Sequence, residues 1–559
     1  MAQGVIGEEA ELEQAAMDFG GHSLALTLLG SYLHMAHGGD IRSRSRISSL
    51  QEDVNYGEHA RRIMRSYEEW LGEGPELSVL RLLGLFDRPV DSQSLAALCI
   101  PPPISGLTDY LQKLSKRKWQ QVLGRLRRAK LLAESDSDHP NVLDTHPLVR
   151  EYFGEQLKKK QPEAWREGNE RLYEHLKRTT KEFPDTIDEM QPLIAAVIHG
   201  CRTGRYKETL YDLYWRRISR GSENFITKKL GAVDADLAAL SGFFEQPWHK
   251  TVAGLSDVDK GFVLSKAGFC LRALGRFNEA VQPIKAGLDW AITQSDFANA
   301  ARSALNLYES FSIAGDLVQA MTYAQQSVTL ADRTGDAFLR LSSKAGVADI
   351  LHQLGLTSES EAVFHEAENI QKEMQPQLPF LYSVSGFQYC TLLLDQNKYK
   401  EVQHRATLSA ELASKAGPSL LAIALDELSL GKAYLLQSQA EGTNDFAQAA
   451  SYLEKATDGL RQAGASEFIV LALLARADLR RVTGSYDRAR ADLDEAFSIS
   501  KRSVMRLCQV DCHLAYTHLH IASGEIEKAR NNIAVAKELI ERTGYHRRDK
   551  DIAELEKML

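Results

Sequence analysis

A mainly all-α protein that ends in a long superhelix of paired helices is what this sequence predicts, and three observations carry the prediction. A short pattern, Gly-x-Φ-x-x-Ala with Φ bulky and apolar, returns along the C-terminal half at steps of about 40 residues. Between its copies small and apolar residues recur three and four apart, as in Ala320, Tyr323, Ala324, Ser327, Val328, Leu330 and Ala331, which is one face of a helix. The whole chain, 559 residues with 44% apolar and 25% charged content, has the composition of folded domains and the length of several of them or of one repeat array.

The pattern is clearest in Ala273–Val281, Ile313–Met321, Val482–Arg490 and Ala522–Arg530. Its glycines fall at Gly275, Gly315, Gly355, Gly484 and Gly524, and its alanines at Ala280, Ala320, Ala489 and Ala529. Two weaker copies fit between, with Asn397 before Tyr399 and Val402, and Asn444 before Phe446 and Ala449. Seven units result. The extra residues before Asn444 are assigned to the polar stretch Gln437–Thr443. Glycine, or asparagine as the next best residue, tolerates the left-handed conformation that ends a helix, so it marks the turn between the two helices of a unit. The alanine five residues on lies in the first turn of the second helix, where a small side chain lets the helices approach. Second helices end at Thr334-Gly335 and Ala463-Gly464.

This order of small and bulky positions resembles the tetratricopeptide repeat, in a longer variant than its nominal 34-residue unit, over about residues 255–545. The resemblance implies a solenoid that binds a protein or peptide on its concave face. The charged stretch 546–559 then caps its last apolar face, and His546, Arg547 and Arg548 are alternatively placed to read an acidic partner.

A second resemblance lies near the N-terminus. Gly20-Gly21-His22-Ser23-Leu24-Ala25-Leu26 is similar to the Gly-Gly-x-Pro-Leu-Ala-Leu helix start that follows the nucleotide-binding core of bacterial STAND-type signalling ATPases, NB-ARC or NACHT-like. In that family the proline packs near the adenine; here Ser23 replaces it. The alternative is a plain helix entered through a glycine turn and a serine cap. Helical segments at Leu77–Leu85, Ser92–Cys99 and Trp119–Leu132, a polar hairpin-like stretch at 134–141 and then Val142–Phe153 make a winged-helix domain. The resemblance places His146 where the family carries a histidine that reaches the ADP phosphate; alternatively His146 caps the helix opening at Pro147.

The resulting organisation is 1–50, remnant of an ARC-like helical region; 51–160, winged helix; 161–254, helical linker; 255–545, solenoid; and 546–559, capping helix. Gly204–Thr209 is a weak echo of the repeat, and Trp215-Arg216-Arg217 an aromatic and basic turn, both read as packing.

No Gly-x-x-x-x-Gly-Lys-Ser/Thr loop occurs in the sequence; Leu430-Gly431-Lys432-Ala433 lacks the leading glycine and the hydroxyl. The expectation is therefore a non-enzymatic C-terminal arm with no cofactor of its own, ADP or ATP entering only with a missing or separately encoded nucleotide-binding module. A partner ATPase module or a second copy of the chain is a further expected contact. The chief rival function is DNA binding. Residues 113–130 carry no acid and include Lys116, Arg117, Lys118, Arg125, Arg127 and Arg128. Against it, the chain as a whole carries a formal charge of -8.

The six cysteines are scattered and read as reduced thiols. Cys508 and Cys512 with His513, His518 and His520 raise the question of a metal. As a helical stripe with Tyr516 the cysteines pack against a neighbouring repeat instead, so no metal site is expected. The acidic N-terminus lacks the pattern of a signal peptide, and no apolar run approaches the roughly 20 residues needed to span a bilayer. A cytoplasmic location is expected.

Overall fold

The computed structural model describes residues 4–7, 9–19, 21–46, 56–135, 141–416 and 420–559. The chain divides into two compact units, Met1–Ala232 and Val233–Leu559.

The first unit contains α1 (Glu9–Asp18), α2 (Ser23–His37), α3 (Tyr56–Leu71), α4 (Pro75–Leu83), α5 (Ser92–Leu98), α6 (Lys116–Arg128), α7 (Pro147–Lys160), α8 (Pro162–Thr179) and α9 (Ile187–Arg202). Tyr206–Glu208 (α10) runs into a π-helical stretch, Thr209–Ser219, and Phe225–Lys228 (α11) follows. Side chains of α2, α3, α4, α6 and α7 share one core, in which the Tyr67 hydroxyl reaches the carbonyls of Leu28 (3.2 Å) and Ala129 (3.0 Å). The third helix of the sequence-predicted trio begins at Lys116, three residues early, because Ser115 Oγ accepts from Lys118 N at 3.3 Å. It stops at Arg128 because Lys130 turns left-handed at φ +57°. Val90 and Leu143 form an antiparallel bridge, and Ala133 N donates to the Asp144 carbonyl at 2.8 Å. Much of the polar stretch at 134–141 lies outside the described residues. Helix α7 is set against α4 by two glycines: a Cβ on Gly84 would lie 2.3 Å from Gly154 N.

The residues read as an aromatic and basic turn are helical instead. Arg217 is buried there and donates to the carbonyls of Lys177, Thr180, Lys181 and Glu182 at 2.9–3.0 Å, closing the end of α8.

The second unit opens with α12 (Val233–Ser241) and a two-stranded antiparallel ribbon, β1 (Phe244–Gln246) and β2 (Lys250–Thr251), too short to leave an alternating pattern in the sequence. Then come seven helix pairs: α13 (Asp257–Ala273) with α14 (Phe277–Thr293), α15 (Phe297–Ala314) with α16 (Leu317–Asp332), α17 (Ala337–Gln353) with α18 (Thr357–Met374), α19 (Ser383–Asp395) with α20 (Tyr399–Ala416), α21 (Leu420–Glu441) with α22 (Ala447–Ala463), α23 (Ser466–Val482) with α24 (Tyr486–Arg502), and α25 (Arg506–Ala522) with α26 (Ile526–Thr543). A last helix, α27, spans Asp549–Met558. The unit is thus an all-α solenoid.

One turn builds it. Gly275, Gly315, Gly355, Asn397, Gly484 and Gly524 all have φ between +62° and +80°. In each turn the following residue donates its N–H to the carbonyl five positions before that glycine or asparagine plus one, as from Arg276 to Leu271 (2.9 Å), Asp316 to Phe311 (2.9 Å) and Glu525 to His520 (2.8 Å). Ala280, Ala320, Ala489 and Ala529 are wholly buried where the helices close. The fifth unit departs from the reading of Asn444 as the turn residue. Gly442 takes that role at φ +65°, with Thr443 N donating to Ser438 O at 3.0 Å. Residues 437–441 continue helix α21, so part of the polar stretch lengthens the helix, and the rest, with Asn444 and Asp445, lengthens the turn.

The solenoid winds until its end meets its beginning. Phe277 packs in one cluster with Val470, Leu473, Ala496, Met505 and Cys512. A Cβ on Gly315 would lie 2.8 Å from Thr543 Cγ2 and 2.9 Å from Arg506 Cβ, whereas one on Gly484 would meet nothing within 4 Å. Replacing Gly484 with Ala should therefore cost only the left-handed conformation, roughly 1–2 kcal/mol. Replacing Gly315 with Ala adds a clash across the closure and should cost clearly more. Urea denaturation of both variants checks this, and equal losses would contradict the closure.

Candidate functional site

In the first unit the residues singled out by sequence gather around helix starts. Gly20 lies outside the described residues. Gly21 is exposed and left-handed at φ +66°. The cap of α2 is not Ser23, which is the helix's exposed first residue, but His22, whose Nδ1 accepts from Ala25 N at 3.2 Å. An imidazole acceptor in the preceding extended position does what the hydroxyl was expected to do. His146 caps α7 in the same manner, its Nδ1 accepting from Leu148 N at 3.2 Å.

The two capping histidines are neighbours. Burial, with nearby His22 and Arg150, holds His146 below the ordinary histidine range, and burial, with Arg62 and His22, does the same for His59. Arg62 lies over the Phe19 ring at 4.8 Å. Three imidazoles and a guanidinium thus lie near the start of α2, with His59 and His146 shifted towards their neutral forms.

The basic stretch does not form one free face. Lys116, Arg117, Lys118 and Arg128 are exposed. Arg125 instead lies over the Trp70 ring at 4.8 Å and pairs with Glu76 at 3.1 Å, and Arg127 donates to the Ala133 carbonyl at 3.2 Å. Cys512 is buried in the closure cluster, His513 meets Asn532 at 2.8 Å and His520 meets Glu525 at 2.7 Å. Among the described residues no three histidine, cysteine or acidic side chains gather in a way that could hold a metal ion. Nor, among them, is any helix long and apolar enough to cross a membrane.

The second unit contains half-open cavities of mixed lining that sequence reasoning missed. A cavity of about 520 Å³ and another of about 230 Å³ share Lys432, Leu471, Asp511, Arg547 and Arg548 as lining residues. From the stretch 546–559, expected to cap the array or to read an acidic partner, Arg547 and Arg548 line both cavities, while His546 is exposed. Arg547 binds Asp395 at 2.6 Å and 3.2 Å, and Arg548 binds Asp511 at 2.7 Å and Asp551 at 3.0 Å. Tyr545 reaches Asp511 at 3.2 Å, and His352 reaches Asp395 at 2.9 Å. Asp395, itself exposed, is held far below the usual carboxylate range by Arg547 and its hydrogen bonds. Burial lowers His352 to about 4, with Arg547 adding to the effect. Burial beside the two arginines brings Lys432 down to about 8. The sequence signal was present in His546-Arg547-Arg548, but its acidic partners lie up to 152 residues away along the chain. Only the superhelical closure joins them.

No family model matches this sequence, and no curated protein matches it. Among solved structures the chain is similar to a Rap protein in complex with Competence and Sporulation Factor, at 11% identity and a TM-score of 0.43, over 72% of this chain and 97% of that one. It is also similar to a signal transduction ATPase with numerous domains from Pyrococcus horikoshii that has a tetratricopeptide repeat sensor, at 14% identity and a TM-score of 0.28, over 94% of this chain and 68% of that one. Neither likeness bears on function at these scores; the solenoid rests on the seven helix pairs themselves.

In the Asp395–Arg547 pair the guanidinium is buried and the carboxylate exposed, so removing Asp395 strands Arg547. Asp395→Leu should destabilise the second unit by about 1.5–3 kcal/mol, Arg547→Met by less because the exposed carboxylate it leaves is solvated, and the double variant by less than the sum. A double-mutant cycle by urea denaturation measures this; additive losses would mean that the pair does not couple.

Proposed function

We propose that this chain is the non-catalytic sensor arm of a STAND-type signalling ATPase, with the solenoid recognising a protein or peptide partner. The observation that carries the reading is the half-open interior of the second unit, whose larger cavity, about 520 Å³ with a mixed polar and apolar lining, is within the size range of ligand-binding pockets. Helices α4, α5 and α6 with the Val90–Leu143 bridge support a winged-helix reading of the first unit, which would pass the binding event to a partner module. A cytoplasmic location and a bacterial origin go with this reading. To test it, a photo-crosslinking residue is placed at Leu471, which lines both cavities, or at exposed Val535 as a control. A specific partner from the native host should be captured from position 471 and not from 535. Equal capture, or none, would reject the interior as the recognition surface.

A second reading, a residual ADP- or ATP-binding switch, draws on the meeting of His22, His59 and His146. It predicts that millimolar ADP raises the melting temperature of the chain and that His146→Ala abolishes the rise. A ligand at 100 times its Kd stabilises by about 2.7 kcal/mol, so an unmoved transition at saturating nucleotide would dismiss it. Duplex DNA binding is the weaker alternative, since Arg125 and Arg127 are already engaged within the unit.

A further inference from the structure

The smaller cavity of the second unit has an apolar wall that the fold leaves open to water. Phe387 on α19 and Phe468 on α23 meet edge to face there, with ring centroids 5.6 Å apart. Val384, Leu421, Leu471 and Leu507 extend the wall along α19, α21, α23 and α25, the first helices of four successive pairs. Phe387 is buried in a core cluster, and Val384, Leu421, Phe468 and Leu471 pack against that cluster while remaining only half-buried themselves. Water beside such a wall finds few hydrogen-bonding partners, and an apolar group that displaces it gains free energy. The charged residues around the wall do not call for a charged ligand. Arg272 pairs with Glu309, Arg547 with Asp395 and Arg548 with Asp511, while Asp349 accepts from Tyr308 Oη at 3.0 Å and from Gln353 Nε2 at 2.9 Å. Lys432 and Glu467, both half-exposed, are of opposite sign. The volume is about 230 Å³. An apolar cavity of about 150 Å³ already admits benzene, so one large apolar side chain fits.

We propose that this cavity is the anchor pocket for one leucine, phenylalanine or similarly large apolar side chain of a peptide segment whose backbone lies in the larger cavity. Such an anchor rests on the reading of the interior as the recognition surface and adds the chemistry that this surface selects. Two features favour a residue within a chain over a free apolar molecule. The cavity is half-open and shares lining residues with the larger one, so a side chain bound in it has a way out for the backbone that carries it. The boundary between the two is also polar, lined on both sides by Asp511, Arg547 and Arg548. Among the described residues Arg548 gives Nε to Asp511 at 2.7 Å and Nη1 to Asp551 at 3.0 Å, which leaves Nη2 able to donate to a main-chain carbonyl. A hydrocarbon has no use for that donor. An apolar anchor seated in a packed pocket with a polar rim is the arrangement in which a few residues carry most of a binding energy.

The test is saturation-transfer NMR on the full chain with N-acetyl amino-acid amides, which carry a side chain and two peptide groups but no terminal charge. The leucine and phenylalanine amides should bind at least tenfold more tightly than those of glycine, lysine and glutamate. Toluene, which has the apolar group without the peptide groups, should bind more weakly than the phenylalanine amide. Phe468→Glu, which sets a charge in the wall, and Val384→Trp, which fills the space, should each weaken the apolar amides at least tenfold; the second keeps the test open should the first fail to fold. Binding indifferent to the side chain, toluene binding as tightly as the phenylalanine amide, or folded variants that bind like the parent would each overturn the anchor pocket. The recognition reading fails separately. A partner captured at position 471 without any amide binding would reject the anchor and keep the interior as the recognition surface, whereas amide binding that both variants abolish supports the pocket even where no partner is captured.

Discussion

The second unit depends on how closely two helices can meet across a left-handed turn. A residue at positive φ turns the chain, its N–H and the next one satisfy carbonyls at the end of the first helix, and a residue with almost no side chain follows five places on. Ala280, Ala320, Ala489 and Ala529 leave no exposed surface at this point, and in the third unit Ser360 fills the place, its hydroxyl donating to the Ala348 carbonyl at 2.7 Å. Because the turn is nearly the same each time, the step from one unit to the next is nearly the same, and equal steps make a superhelix. Closure follows from repetition. Once the units have completed a winding, the turns at Gly275 and Gly315 face Ser503 and Arg506.

Closure has an electrostatic consequence. The segment that follows α26 carries Arg547 and Arg548 into the interior of the superhelix, where each guanidinium must find a carboxylate or lose much of its hydration energy uncompensated. Asp395 and Asp511 answer them. Such pairs add little net stability over apolar residues of the same size, but they penalise alternative windings, because a slip of one unit would strand the charges. The interior is therefore kept in register.

Much of this was legible in the sequence, and the limits were physical. The seven helix pairs could be read because backbone turns select glycine and asparagine and close packing selects alanine, both local requirements. Asn444 misled because it stands two places after Gly442, and a turn lengthened by Asp445 looks, in sequence, like one of normal length in a different register. Ser23 misled because a hydroxyl is the commoner cap, while the imidazole of His22 accepts the same bond one residue earlier. The two cavities were not legible at all. Lys432 drew notice only as a poor match to a phosphate-binding loop, and nothing local relates it to Arg547 or Glu467.

The weak echo at Gly204–Thr209 shows how far the same turn reaches. Gly204 has φ +82°, Gly204 N donates to Cys201 O and Arg205 N to Gly200 O, both at 3.0 Å, which are the bonds of the solenoid turns. The alanine place holds Thr209, fully buried. A larger residue fits there because the facing position is Gly200, where a Cβ would lie 2.3 Å from Thr209 Oγ1. Volume has moved from one helix to the other while the separation is kept. The helix that follows then widens into its π-helical stretch from Thr209 to Ser219, and with that change in pitch the stripe that would face a next unit is rotated away. A turn of the repeat type thus occurs in the first unit without a repeat array. What propagates a solenoid is the turn together with an unbroken 3.6-residue helix after it, and in this chain the seven pairs of the second unit supply both.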